Sequence, residues 1–212
     1  TGLVELVGEN ELVGPESIIQ AGKEYLFVTL GDGRIARLQH SKDGAKKVTW
    51  EFLPRTGSST PKQCVFSPAD VPETEAQCGR PLGLKLVKRS TVGIITDKED
   101  NEDVLVIADA YKGLLMMTNI YNKDVKGIQI TTVAVRAETD RAAYRFSLLN
   151  ALVQTPDGSI YLTETTQHFQ RRRIFWAAME GRRTGRLAIQ TSNGCPHCSE
   201  PFVYAKWNHF ES

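Results

Sequence analysis

The chain lacks the features that would assign it quickly. With 26 Lys and Arg against 25 Asp and Glu, its formal net charge is only +1, and no stretch is broadly basic. That gives no electrostatic footprint for nucleic acid. No apolar run approaches the roughly 20 residues of a membrane span. No secretory leader is present, although a chain that starts at Thr1 rather than Met makes this absence a weak exclusion. There is no Gly-rich phosphate loop and no Gly-x-Ser-x-Gly nucleophile elbow. No linker divides the sequence, and no segment is of low complexity. What is there, 212 residues that are 41% hydrophobic, suffices to bury the core of a single domain.

The most informative positive feature is a diverged unit that recurs about four times. Each copy is a short lead-in followed some ten residues later by an apolar strand. The copies are Gly14-Pro15-Glu16-Ser17-Ile18-Ile19 with Tyr25-Leu26-Phe27-Val28-Thr29, and Arg80-Pro81-Leu82-Gly83-Leu84 with Val104 to Asp109. Leu149-Asn150-Ala151-Leu152-Val153 with Ile160 to Glu164 is the third, and Ser192-Asn193-Gly194-Cys195-Pro196 with Phe202 to Ala205 the fourth. A polar insertion, Thr96 to Asp103, lengthens the second. Between these, Gly31-Asp32-Gly33, Asp43-Gly44 and Pro156-Asp157-Gly158 mark turns between alternating strands, and Gly57 to Gln77 reads as a loop with three prolines. Strand-built repeats of roughly 40 to 50 residues predict an all-β β-propeller. The sequence stops soon after the first strand of the fourth unit. An arc of three to four blades leaves an open edge, so residues 1–212 are expected to be one propeller domain truncated at its C-terminal side.

Propeller repeats point equivalent positions at one axis. The column Glu16, Leu82, Asn150, Asn193 offers oxygens in three of its four members, and Ca²⁺ seeks six to eight oxygens. Glu16, Asn150 and Asn193 are therefore candidate metal ligands; as ordinary turn residues they would instead bond the backbone. Four cysteines fall into two pairs. Cys64 and Cys78 bracket a Pro- and acid-containing loop and are read either as a disulfide, which implies an oxidising compartment, or as two unpaired thiols. Cys195-Pro196-His197-Cys198 has dithiol or half-zinc spacing, yet sits in a strand lead-in where packing cysteines are expected. Asp109 reads as a turn carboxylate before it reads as a catalytic acid. His168 beside Glu164, and the cluster Arg171-Arg172-Arg173 with Arg182 and Arg183, read as exposed loop groups.

The blocks Gly14-Pro15-Glu16-Ser17-Ile18, Asp32-Gly33-Arg34-Ile35, Cys78-Gly79-Arg80-Pro81-Leu82-Gly83-Leu84, Ala108-Asp109-Ala110-Tyr111-Lys112-Gly113-Leu114 and Gly185-Arg186-Leu187 occur in the order found in the strictosidine synthase-like propellers, which the chain resembles over nearly its whole length. Gln170-Arg171-Arg172-Arg173 is similar to an animal, membrane-anchored branch. The resemblance implies a six-bladed propeller, of which this chain is the N-terminal half to two-thirds. It implies an axial Ca²⁺ and arylesterase-like hydrolysis of a small-molecule ester or lactone. It also implies a secretory or cell-surface glycoprotein held by an N-terminal anchor absent from this chain. Where the family has Asn followed by Asp, this chain reads Asn150-Ala151. The catalytic glutamate of the plant synthases belongs to a later blade. Two function classes stay open: a Ca²⁺-assisted hydrolase, and a catalytically silent binding or structural propeller.

Overall fold

The computed structural model describes residues 6–40, 48–57, 64, 71–92, 101–138, 143–165, 186–190 and 202–205. These residues form three four-stranded antiparallel sheets, each a simple meander. The first holds β1 (Ile18–Ala21), β2 (Tyr25–Thr29), β3 (Ile35–His40) and β4 (Val48–Phe52). The second holds β5 (Pro81–Lys88), β6 (Asp103–Asp109), β7 (Gly113–Thr118) and β8 (Gln129–Ala134). A small hairpin, β9 (Arg136–Glu138) with β10 (Ala143–Arg145), leads into the third sheet. That sheet comprises β11 (Leu149–Gln154), β12 (Ile160–Glu164), β13 (Arg186–Gln190) and β14 (Phe202–Ala205). β5 lies against both β1 and β11, so the first strands of all three sheets gather on one side, as the inner strands of propeller blades do.

Three expectations change. Phe202–Ala205 pairs with β13 (Leu187 opposite Ala205, Gln190 opposite Phe202) and is the outer strand of the third blade, not the inner strand of a fourth. Any blade strand carries the same short apolar alternation, so the fourth lead-in was matched to the wrong strand. The unit is also longer than 40 to 50 residues, because an extended connection separates one blade from the next. Part of the first connection is helical: α1 (Val71–Cys78) interrupts what reads as a proline-rich loop. Pro72 stands at its front, where the missing N–H costs nothing, and Gly79 closes it at φ +84°, donating to Glu75 O at 2.9 Å.

The second blade is buried on both faces, which explains why its central strands read as unbroken apolar runs. Leu105 and Ile107 of β6, with Leu115 and Met117 of β7, pack on Phe27 and Ile35 of the first blade. The alternate residues Val104, Val106, Leu114 and Met116 pack on Leu149, Ile160 and Leu162 of the third. A buried arginine adds directionality to the first interface. Arg37 pairs with Glu51 and donates to the Ile120 and Asn122 carbonyls at 2.5 and 2.8 Å.

At the rim of that interface Asp103 accepts from Lys88 Nζ at 2.7 Å and from the Tyr121 hydroxyl at 3.0 Å. The hydrogen bond from Lys88 holds the Asp103 carboxyl below its usual range. Burial, then the bond to Asp103, pushes the Tyr121 hydroxyl well above its own. A depressed acid contributes stability above its unfolded pKa that is lost as pH falls; a raised phenol contributes stability that is lost as pH rises past about 10. Denaturation midpoints are expected to fall below about pH 4 and above about pH 10, and Tyr121→Phe to flatten the alkaline limb relative to wild type. An unchanged alkaline limb in that variant would remove the link.

Candidate functional site

Each inner strand starts with the same irregularity. In the first blade Glu16 N donates to Thr29 O and Thr29 N to Ser17 O, so two residues oppose one. In the third blade the register passes from Leu149–Glu164 to Leu152–Leu162, which leaves Asn150 and Ala151 against Thr163. In the second it passes from Pro81–Asp109 to Gly83–Ala108 and leaves Leu82 over. The threonine hydroxyls repeat the match: Ser17 N donates to Thr29 Oγ1 at 2.9 Å, and Ala151 N to Thr163 Oγ1 at 3.0 Å. Glu16, Leu82 and Asn150 therefore stand at one equivalent bulge at the start of three adjacent inner strands. A bulge re-aims the side chain it carries.

The three side chains do different things there. Glu16 is about half exposed and Asn150 is exposed, its Nδ2 donating to Thr165 Oγ1 at 3.1 Å. Leu82 packs inward against Ala110 and Leu148. Asn193 lies outside the described residues. Because β14 belongs to the third blade, the repeat that put Asn193 in this column no longer does so.

Sequence reasoning missed the cation beside Glu16. Arg80 is buried, with Nη1 donating to Gly14 O at 3.3 Å, Nη2 3.4 Å from Glu16 Oε2 and Nε 3.8 Å from the buried Glu75. The signal lay inside the block Cys78-Gly79-Arg80-Pro81-Leu82-Gly83, whose spacing follows from packing. The disulfide Cys64–Cys78 forms, with its Cα atoms 5.5 Å apart. Gly79 lies where a Cβ would strike Thr56 Oγ1. Gly83 lets β5 approach the Asn150 carbonyl of the third blade, where a Cβ would come within 2.9 Å.

Asp109 behaves as the turn carboxylate. It is fully buried; Oδ2 accepts from Thr56 Oγ1 at 2.5 Å and from Arg80 N at 2.8 Å, and Oδ1 accepts from Tyr111 N and Lys112 N, both at 2.9 Å. With every lone pair engaged it has none left for a substrate. Glu164 takes the same place at the end of β12 and accepts from Ser147 N at 2.5 Å. These acids anchor the lead-in backbone, and so set where the bulge residues stand. His168, Arg171 to Arg173, Arg182, Arg183, Cys195 and Cys198 lie outside the described residues.

Glu16 and Asn150 are hard oxygen donors of the kind Ca²⁺ takes. Two side chains do not complete six to eight ligands, and the guanidinium beside Glu16 offsets part of its charge. Among the described residues, no three His, Cys, Asp or Glu side chains cluster as metal ligands.

Residues 3–38 match the family described as "Strictosidine synthase-like, N-terminal". Proteins named adipocyte plasma membrane-associated protein from Gallus gallus and Homo sapiens are each 33% identical over 184 residues, 86% of this chain and 36% of theirs. The Arabidopsis thaliana protein STRICTOSIDINE SYNTHASE-LIKE 10 is 33% identical over 187 residues, 87% of this chain and 41% of its own. The chain thus spans little more than a third of the length of the relatives it matches.

Proposed function

Because this chain belongs to the strictosidine synthase-like family, we propose that the bulge column is one sector of an axial site that hydrolyses aryl esters or lactones with Ca²⁺. The carrying observation is that Glu16 and Asn150, both oxygen donors, occupy one equivalent bulge on inner strands of different blades. Glu16 and Asn150 would hold the ion, with further ligands from elsewhere in the complete protein. A bound Ca²⁺ supplies Lewis acidity toward a carbonyl oxygen. Arg80 holds the Glu16 carboxylate in one orientation, and Thr29 and Thr163 hold the bulges that carry Glu16 and Asn150. Asp109 fixes the Arg80 backbone from behind. Pre-setting ligands in this way lowers the ordering cost of binding.

Calcium titration by calorimetry, paired with an aryl-ester assay on the complete protein, tests this. Glu16→Gln is expected to weaken Ca²⁺ binding roughly tenfold or more, since it removes the column's only charged ligand, and to lower esterase activity with it. Asn150→Ala, which removes a dipole, is expected to cost less. Unchanged Ca²⁺ affinity in Glu16→Gln would sink the assignment. The second reading, a silent binding propeller, would then lead; it is favoured by the Arg80–Glu16 pair and by Ala151 where a carboxylate is usual in the family. The Cys64–Cys78 disulfide and the plasma-membrane name of the relatives support a route through the secretory pathway to a membrane surface. No helix among the described residues is long and apolar enough to cross a membrane.

A further inference from the structure

A cavity of about 620 Å³ opens between the connection that follows the first blade and the β6–β7 turn and outer strands of the second. That volume is in the range of small-molecule sites. Its floor is apolar, with Leu115 and Ile130, and Val135 stands exposed at the edge. Among the described lining residues three are cations, Arg55, Lys112 and Arg145, and none is Asp or Glu.

Arg55 and Lys112 are partly buried, and Arg145 is exposed. Arg55 is largely buried and is steered by Asp32, its Nε donating to the Asp32 carbonyl at 3.2 Å. The turn carrying Lys112 is pinned because its backbone N–H donates to buried Asp109. Neither the Lys112 ammonium nor the Arg145 guanidinium meets a carboxylate in any ion pair among the described residues. Arg145 also stands directly opposite Arg136 in the β9–β10 hairpin. Of the lining hydroxyls, Thr56 donates to Asp109 and Tyr111 to Glu75, while that of Thr132 on β8 is exposed. The charge that the described lining residues offer a ligand is therefore positive, above an apolar floor.

We propose that this cavity binds an organic anion with an apolar body, of the monocarboxylate class, its carboxylate held by Lys112 and Arg145 and its body on Leu115 and Ile130. The assignment does not depend on the axial reading, since the two sites share no residue. Calorimetry with octanoate as the probe tests it on the complete protein. Octanoate is expected to bind at one site, and the Lys112→Gln/Arg145→Gln double variant to weaken it roughly tenfold to a hundredfold, as the loss of charge-assisted hydrogen bonds implies. Octyltrimethylammonium, with the same body and opposite charge, is expected not to compete. Among the described residues neither Lys112 nor Arg145 has an ion-pair partner to lose, so the double variant is expected to melt with wild type; should it not, Arg145→Glu alone, at an exposed position, gives the same reading. Undiminished octanoate binding in these variants, or equal binding of the cationic amphiphile, would overturn the proposal. So would loss of octanoate binding in Glu16→Gln, which would put the anion on the axis instead.

Discussion

Gly79→Ala is expected to lower the stability of the protein by about 3–5 kcal/mol, the sum of a left-handed backbone for a residue with a side chain and of overpacking in a closed site. Gly79 has φ +84°, and its would-be Cβ meets Thr56 Oγ1 as well as Asp109 Oδ2 and Gly57 N, both at 2.9 Å. The methyl would have to part Thr56 from Asp109, and with it the hydrogen bond that closes the first blade onto the second. Gly22 supplies the control. Its φ is +62° but nothing lies within 4 Å of its Cβ, so Gly22→Ala carries only the backbone term, about 1 kcal/mol. Chemical denaturation of both variants measures the difference. Equal losses at the two glycines would show that the wedge between the blades is not tight.

The second large effect is expected on reduction of Cys64–Cys78. The bridge joins residues 14 apart in sequence. Releasing a loop of that size from the unfolded chain's constraints costs about 3 kcal/mol in the chain-entropy description. The native consequence is local as well. Both cysteines are buried, and the carbonyl of Cys78 lies against Gly33 while Gly79 and Arg80 follow directly. A reduced protein is therefore expected to melt earlier and to hold Arg80 less firmly against Glu16. Thermal scans with and without dithiothreitol, alongside a Cys64→Ser/Cys78→Ser variant, measure this. A midpoint indifferent to reductant would mean that the helix and the Asp109 hydrogen bonds hold the connection alone.

Local chemistry was readable where it was sufficient. Gly31-Asp32-Gly33 and Pro156-Asp157-Gly158 are turns whatever surrounds them, and the strands beside them lie within a residue or two of their expected places. The column of Glu16, Leu82 and Asn150 was also readable, because repeated units superpose by rotation and an equivalent position recurs at each lead-in. Asp109 was readable as a turn acid from the Asp-Ala-Tyr-Lys-Gly order alone. By contrast, α1 was hidden: its apolar and polar residues have no strong helical period, and three prolines nearby argue for a loop.

Tertiary structure decided everything that depends on which strand neighbours which. Phe202–Ala205 has the composition of any blade strand, and only its pairing with β13 makes it an outer strand rather than the start of another blade. Arg80 meets Glu16 across 64 residues of sequence, and Thr56 meets Asp109 across 53. No periodicity encodes such contacts, since each arises when two blades pack and bury groups that must then be paired. Leu82 shares its backbone position with Glu16 and Asn150, yet its side chain turns inward because Ala110 and Leu148 offer it an apolar seat. Sequence thus determined the repeat and its equivalent lead-in positions; packing between blades determined how each of those side chains is seated, because desolvation drives buried arginines and carboxylates to find partners.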